Sequence, residues 1–567
     1  MGSLKQNWLW LQVGIWLISI WLLFASAIAW HIELPGLYMD AVNPDFQVVD
    51  VLQGEKDTSP MLYLPGNLIA GRFPLLTSLY HGTQNIIVDA PVVAVFGASL
   101  AALRAAQALF GAAILTALFF LLRNRRQDSS LLLAWLPAAA LALDPVFTYA
   151  FRTQLYITLG PVAWLLASIL AARRVWRSDL DPLQKNHTPE DSRWLMLAGF
   201  CFGAAVFGYF IFAFFAPVAL LGIITAHRSF NKELKFSKLT RALAWIFLGF
   251  LIGISGYIIG YLKIMSAEHG VRGFLEFLSA YQHSIGIFEA HLSLSETIHY
   301  FANLVWRVFS NDWQHDLIFG EAWQEPGSAL KLLLLLGLPL LIFAWSELRR
   351  IQSGKLRLVM GLLACFPIVA LIFGNRLSGH HFVVLLPLAY IALATGLNEL
   401  HKSYRTSYFI RFAPIAIWVF LIAVNLSGQY ATGSELLRTH GRHLFSDAIN
   451  NFSGDAIARE SKKNRQHVYF PDWGLYMPFH FLTNGQIRHS VVMDLKEMRA
   501  ELCRGNSIEI AFVTGNISER FSEMASQLKW TEPSLRPYND YEGNQVFVVG
   551  TFDALKGSST SGTFCSE

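Results

Sequence analysis

Long apolar runs alternate with short charged punctuation along the chain as far as Leu426. The runs are Trp8–Trp30, Pro91–Leu122, Leu131–Leu143, Leu155–Ala172, Trp194–Tyr209, Ile211–Ala226, Ala242–Leu262, Leu330–Trp345, Leu356–Phe373, Phe382–Leu397 and Phe409–Leu426. A helix needs roughly 20 residues to cross the hydrocarbon core, and the shorter runs extend into their flanks, so the pattern predicts about eleven transmembrane helices. The Pro91 run is long enough to hold a surface helix and then a span. Trp194–Ala226 reads either as one long buried helix or as two with a tight turn; Pro217 and the basic clusters on both flanks favour two. Ala25-Ser-Ala27 and Ala27-Ile-Ala29 offer small residues of the kind a signal peptidase accepts, but the run before them is longer than a signal core, which predicts a retained helix.

Lys and Arg fall in alternate connections. One set holds Arg123, Arg125 and Arg126; Arg173, Arg174 and Arg177; Arg228 to Arg241; Arg349 to Arg357; and Lys402 to Arg411. Cytoplasmic loops carry this excess, so the amino terminus is expected in the cytoplasm and the carboxyl-terminal part outside it. The expected location is a bacterial inner membrane. From Gly428 the pattern changes to short β-rich runs, His467–Phe470, Ile508–Val513 and Gln545–Val549, alternating with helical periodicity at Leu495–Leu502 and Ile517–Leu528. The expected organisation is therefore a mostly α, polytopic membrane domain over residues 1–427, with extracytoplasmic loops at 31–90 and 263–327. A soluble extracytoplasmic α/β domain over 428–567 follows, ending in a disordered stretch from Ser558 to Glu567.

Composition agrees with this class. The 567 residues are 54% hydrophobic and only 15% charged, against about a quarter charged in a soluble domain. A net charge of +4 gives no reason to expect nucleic acid. Cys201 and Cys365 lie in apolar runs; Cys503 and Cys565, in the polar tail, either pair in an oxidising compartment or stay as two thiols. Walker, H-E-x-x-H and dinucleotide-glycine motifs are not found, so the cofactor is unknown: a divalent metal is possible, but no ligand motif identifies one. Ionisable residues gather at helix ends rather than along the spans, which favours interfacial chemistry over transport.

The first helix followed by Pro35-Gly-Leu-Tyr-Met-Asp40 resembles the start of membrane glycosyltransferases of the GT-C class, above all the protein mannosyltransferase and aminoarabinose transferase group. Gly71-Arg72-Phe-Pro74, Tyr80-His-Gly82, Phe96-Gly97 running on to Arg104, and His380-His381 with Pro387 follow in the order that group shows. The resemblance covers Trp8 to Leu397, and the order of the motifs carries it rather than any one of them. It implies a GT-C-like fold, a polyprenyl-phosphate sugar donor, an inverting transfer, and a lipid, glycan or protein acceptor on the outer face. The group commonly has an Asp-Glu pair where this chain has Asp40-Ala41, which leaves open whether Asp45 supplies a second carboxylate.

The chemistry explains the residue types. An acceptor hydroxyl attacking an anomeric carbon must lose its proton, and a positioned carboxylate takes it. A phosphate leaving group departs as an anion, so no acid is needed, but its charge must be held. Asp40 is the candidate catalytic base, set against a solvated loop acid or a cap for a helix near Asn43-Pro44. Asp45, at an early turn, reads more as a capping or surface acid than as a second acid. Asp144 is either a second acid facing the site or a helix terminator before Pro145. Candidates for the donor phosphate are Arg376, His380 and His381 in one compact loop, with Arg72, His81 and Arg152; for Arg152 the alternative is snorkelling to headgroups. The rival reading is a lipid-linked glycan flippase or transporter without transferase activity.

Overall fold

The computed structural model describes residues 2–54, 64, 66, 68–123, 130–153, 156–178, 189–222, 236–285, 293–350, 354–373, 377–403, 408–460, 466–471, 473–490, 495–513, 517–528 and 532–553. Arg376, Cys565 and the stretch Ser558 to Glu567 lie outside the described residues.

Helix α1 (Gly2–Ala29) is apolar on every side. Val13, Ile20, Phe24 and Ile28 are buried, while Leu11, Ile15, Ile18 and Leu22 are exposed, as expected of a helix with one face on its neighbours and one on lipid. A loop with a 3-10 turn at Met39–Ala41 leads to α2 (Gln47–Gln53). Two small hairpins follow, β1 (Leu68–Ile69) with β2 (Phe73–Pro74) and β3 (Leu76–Ser78) with β4 (His81–Gly82). Helix α3 (Gln84–Phe96) stops at Gly97, whose φ of +80° a side chain would resist. Helix α4 (Leu100–Leu122) starts behind Ser99, whose hydroxyl accepts from the Ala102 amide. The Pro91 run therefore does divide into a short helix and a span.

Next come α5 (Ser130–Ala142), α6 (Pro145–Ala150), α7 (Tyr156–Ser178), α8 (Pro189–Gly208) and α9 (Phe210–Gly222). Extended Tyr209 separates the last two, which settles the Trp194–Ala226 question in favour of two helices. Helices α10 (Phe236–Gly253) and α11 (Ser255–Ala267) meet at a 52° bend. The long loop contains α12 (Val271–Ile285), α13 (Leu294–Phe309) and α14 (Asp312–Phe319), and a Ser293/Glu296 capping box starts α13. Then come α15 (Ser328–Leu348), with a π-helical turn at Leu333–Gly337, α16 (Gly354–Phe373), α17 (Gly379–Phe382), α18 (Leu385–Ser403) and α19 (Tyr408–Thr439). The apolar runs are mainly helical in their described residues, with breaks at Gly97–Ser99, Tyr209, Ile254 and Val383–Val384. Among the described residues, by length and composition, five helices can cross a membrane, six with the bent pair, and several runs form shorter apolar helices. The chain is a polytopic integral membrane protein.

Helix α19 passes straight through residue 428, the expected boundary, and ends at Thr439. Beyond it lie α20 (Ala448–Glu460), β5 (Gln466–Tyr469), α21 (Trp473–Leu482), β6 (His489–Ser490), α22 (Leu495–Cys503), β7 (Ser507–Val513), α23 (Ile517–Leu528), β8 (Ser534–Asn539) and β9 (Gln545–Phe552). The sheet order is β6-β5-β7-β9-β8, with β5 parallel to both neighbours and β9 antiparallel to both of its own. Ile508, Ile510 and Phe512 pack with Met498, Leu502, Phe521 and Met524 of α22 and α23. The other face joins a larger cluster in which Phe452, Phe479 and Phe547 meet Leu37, Val42, Phe46 and Val49 of the first loop and Ile86, Val93 and Leu103 of α3 and α4. The α/β domain and the first loop thus share one core.

Helices α8 and α10 approach closely through matched small residues. Gly199 and Gly203 of α8 face Gly249 and Gly253 of α10; a Cβ at these positions would stand 1.9 Å from Ile246 O, 2.4 Å from Phe250 O, 2.0 Å from Met196 O and 2.3 Å from Phe200 O. This is the Gly-x-x-x-Gly arrangement that brings membrane helices into backbone contact. Gly203→Val is expected to cost about 1–3 kcal/mol by overpacking and to lower the melting temperature in detergent. Gly14→Val, at a position with nothing within 4 Å, is expected to leave it unchanged. Equal melting of the two variants would show that the close approach does not matter.

Candidate active site

The last carbonyls of any helix lack intrahelical partners. At the end of α1 they are gathered by one side chain. The Arg152 guanidinium donates to Ala27 O (3.1 Å), Ile28 O (2.6 Å), Trp30 O (2.5 Å), His31 O (3.3 Å) and Leu34 O (3.2 Å). Arg104 continues the series, donating to Ile32 O and Pro35 O at 2.6 Å each and to Arg152 O at 3.2 Å. Both arginines are buried, and the Tyr149 ring lies 4.8 Å from the Arg152 guanidinium carbon. Arg152 does not snorkel; its two terminal nitrogens are taken by these carbonyls, and its Nε is buried without a partner among the described residues. It closes the end of α1 and fixes the loop that follows.

That loop is also held from the other side. Gly36 N donates to Phe445 O at 2.8 Å, and a Cβ on Gly36 would stand 1.8 Å from Ser446 O. The Tyr38 hydroxyl lies against Gly474 at the start of α21. Asp40 stands in the 3-10 turn between these anchors, with Val42 and Phe46 buried behind it; its side chain lies outside what the structure describes.

Asp45 is a correction. It is neither a surface acid nor a cap but is fully buried, beside Asp89 and Asn85 of α3. Residues 85 and 89 share a helix face at one-turn spacing. Gln107 of α4 donates from Nε2 to Asp89 Oδ1. Among the described residues, Asp45 Oδ1 and Oδ2 and Asp89 Oδ2 lack a well-formed hydrogen bond. Burial raises the Asp45 carboxyl to about 8, opposed by its contacts with Asp89 and Asn85. Asp89 is also raised, by burial and then by the Asp45 charge. Two carboxyls in contact cannot both ionise cheaply.

The hairpin β3–β4 carries His81 to the break between α8 and α9, where Phe210 N donates to Tyr80 O at 3.0 Å. The His81 ring lies 4.3 Å from Tyr209 and 4.6 Å from Tyr80; Tyr209 is 5.8 Å from His381, and His381 is 3.9 Å from His380. Ser78 Oγ accepts from His81 N at 3.0 Å and meets its Nδ1 at 3.2 Å. Ser378 Oγ meets His380 Nδ1 at 2.7 Å. Three predicted residues from distant parts of the chain thus converge around Tyr209. Burial, with the His380 charge second, pushes His81 down to about 3, so its ring is neutral near pH 7, with a buried Nε2 that makes no hydrogen bond among the described residues. At this ring the cluster offers a neutral hydrogen-bonding group, not the cationic clamp expected from sequence. Arg72 is exposed on the first loop with its guanidinium over Gly54, apart from this cluster's ring contacts.

Asp144 is built into the bundle. Its Oδ1 caps α6 by accepting from Val146 N at 3.0 Å. Its Oδ2 meets Lys331 Nζ at 2.9 Å and accepts from the Tyr390 hydroxyl at 2.9 Å. Lys331 also meets Glu325 at 2.9 Å, and Asn425 donates to the Tyr390 oxygen at 2.8 Å. Helix α5 ends at Ala142, Asp144 caps the helix that starts at Pro145, and both of its oxygens are engaged. Elsewhere, His467, Glu497 and Glu501 bring ligand atoms within 4.8 Å of one another. Glu501, however, already accepts from Arg488, Arg504 and Asn506 at 2.7–2.9 Å, so a cation there would have to displace two guanidinium groups.

Sequence reasoning missed Asp89, the clamp role of Arg104, and a contact between α2 and the α/β domain, where Asp50 lies 3.1 Å from His480 Nε2 and His480 Nδ1 lies 3.0 Å from His489. A signal existed for Asp89, the lone charge in Gln84–Phe96.

The fold is GT-C-like. The likeness is to ArnT from Cupriavidus metallidurans: its apo structure superimposes with a TM-score of 0.57 at 12% identity, over 96% of this chain and 98% of that one. The same protein bound to undecaprenyl phosphate gives 0.58 at 12% identity, over 95% and 98%. The oligosaccharyltransferase AglB from Archaeoglobus fulgidus, in complex with an inhibitory peptide and a dolichol-phosphate, is more distant, with a TM-score of 0.48 at 12% identity over 91% of this chain and 70% of that one. At such identities the likeness is one of fold. No protein-family model and no curated protein matches the sequence.

Two outcomes test the site's architecture. Arg152→Lys supplies three donors without the planar fork; leaving buried carbonyls unpaired costs on the order of 3 kcal/mol and is expected to reduce the yield of folded protein. A normally folded Arg152→Lys protein would remove the clamp role. For Asp45 the sign is as follows. The unfolded carboxyl loses its proton near its ordinary value of 3.8 and the folded one at about 8. Stability is therefore highest below pH 4 for this group and falls as pH rises towards 8. In metal-free buffer the melting temperature of wild type is expected to fall more between pH 5 and pH 8 than that of Asp45→Asn. Parallel profiles would refute the buried, proton-holding acid.

Proposed function

We propose that this protein is a glycosyltransferase that moves one sugar from a polyprenyl-phosphate donor to a lipid, glycan or protein acceptor on the outer face of the membrane. What supports the reading is the ArnT-like fold over almost the whole chain, seen also with undecaprenyl phosphate bound to ArnT. Asp40 acts as general base in an inverting transfer, taking the acceptor proton as the hydroxyl attacks the anomeric carbon. The bond from that carbon to the phosphate oxygen breaks, and polyprenyl phosphate leaves as an anion. His81, His380 and His381 receive the phosphate through ring N–H groups, and Arg72 and Arg376 supply positive charge. The alternating basic connections and the disulfide-bonded state of Cys503 both favour an oxidising compartment for the α/β domain and a cytoplasmic amino terminus, with a bacterial inner membrane as the setting.

Asp40→Asn is expected to lower release of free polyprenyl phosphate by about 10²–10⁴-fold, the usual contribution of a positioned base. Expression and membrane insertion should be unchanged. The assay runs in detergent, where no compartments exist, so a transporter would give no release with either protein. Near-normal turnover by Asp40→Asn would remove Asp40 from the base role.

A further inference from the structure

The histidines assigned to the donor phosphate stand on two separate segments, and each is tethered inside its own. Ser78 Oγ lies 3.2 Å from His81 Nδ1 in the β3–β4 hairpin. At the start of α17, Ser378 Oγ lies 2.7 Å from His380 Nδ1, and Ser378 N donates to His381 Nδ1 at 3.2 Å. These tethers orient the rings but do not set the distance between the two segments. Tyr209 touches both. Its ring centre is 4.3 Å from that of His81 and 5.8 Å from that of His381, with the planes inclined at 35° and 37°.

The backbone seats this ring against the hairpin. Tyr209 is extended, with φ of −152° and ψ of 120°, and interrupts the helical path between α8 and α9. Before it, a Cβ on Gly82 would stand 2.4 Å from Phe207 O; after it, Phe210 N donates to Tyr80 O at 3.0 Å. With contacts on both sides and only 7% of the residue exposed, the ring has little room to shift. A planar aromatic side chain is also rigid, where an aliphatic one would yield.

We propose that Tyr209 is a positioning residue of the donor site: its ring fixes the separation of His81 from the His380–His381 pair, and so the width of the gap that receives the phosphate. The role rests on the donor assignment made above. Tyr209 acts through the imidazoles, by shape, and its hydroxyl is not required. Displacing such a set by about 1 Å is enough to cost up to about a hundredfold.

The test uses the full-length protein in detergent with undecaprenyl phosphate as the probe. Its dissociation constant is read by native mass spectrometry, and melting is followed alongside. Tyr209→Leu is expected to weaken binding by about tenfold or more, whereas Tyr209→Phe, which keeps the ring, should bind like wild type. Combining Tyr209→Leu with His81→Ala should cost less than the product of the two single losses, because part of what Tyr209 positions is already gone. Should Tyr209→Leu fail to fold, Tyr209→Met fills the same space with a flexible chain and is expected to show the same loss. Unchanged binding in the Leu or Met variant, or losses that simply multiply in the double variant, would overturn the proposal. An equal loss in Tyr209→Phe would overturn it too, by showing that the hydroxyl itself meets the ligand. Wild-type protein that binds no undecaprenyl phosphate would remove the donor assignment, and this role with it.

Discussion

The end of α1 is a concentration of unpaired carbonyl oxygens at the negative pole of a 28-residue helix. Left alone in a buried setting, those oxygens would exclude the chain path the structure shows. Arg152 resolves the problem because a guanidinium carries five donors in a fixed plane and keeps its charge when buried. Carbonyls of five residues converge on it, and Arg104 takes those of Ile32 and Pro35. The direction in which the first loop leaves the membrane domain is therefore set by α4 and the end of α6. Everything that follows in that loop, Asp40 and Asp45 included, inherits this placement.

The second constraint comes from the α/β domain, which is packed into the first loop rather than attached beyond it. Leu37, Val42, Phe46 and Val49 belong to the same apolar cluster as Phe452, Phe479 and Phe547. Beside that cluster His489 Nδ1 lies 2.5 Å from the Ile487 carbonyl, His480 Nδ1 lies 3.0 Å from His489 Nε2, and His480 Nε2 lies 3.1 Å from Asp50 Oδ1. Helix α2 is thereby linked to the domain through two imidazoles. A loop held by arginines on one side and by a folded domain on the other can present a carboxylate with little freedom.

Much of this was legible in the sequence, and the rest was hidden for physical reasons. The apolar runs gave the helices because burial in lipid demands near-uniform hydrophobicity. Strands β5, β7 and β9 were visible because each is buried on both faces and reads as a continuous apolar stretch. Strand β8, Ser534–Asn539, was missed because its residues are mostly exposed and it carries Pro537, allowed there only because the strand lies at the sheet edge. His81 and His380 could be nominated but not joined, since nothing local in the chain says that a hairpin and a helix start nearly three hundred residues later both meet Tyr209. Arg152 was read by its chemistry, but its partners are backbone oxygens, which leave no trace in side-chain patterns. Asp45 looked exposed because Asn-Pro-Asp is a turn sequence; its burial follows from the domain that folds over it.

The distribution of satisfied and unsatisfied polar groups also bears on what the bundle can do. Lys331 lies between Asp144 and Glu325, with Tyr390 and Asn425 closing the remaining contacts, and the three charged side chains are wholly inaccessible. A transport path needs groups that exchange partners with a passing substrate, and breaking this set would leave buried charge unpaired. Its form suits a fastener that joins α6, α15, α18 and α19. Among the described residues, unpartnered buried atoms remain both in this set, at Glu325 Oε1 and Asn425 Oδ1, and on the first loop and α3, at His81, Asp45, Asp89 and Asn85.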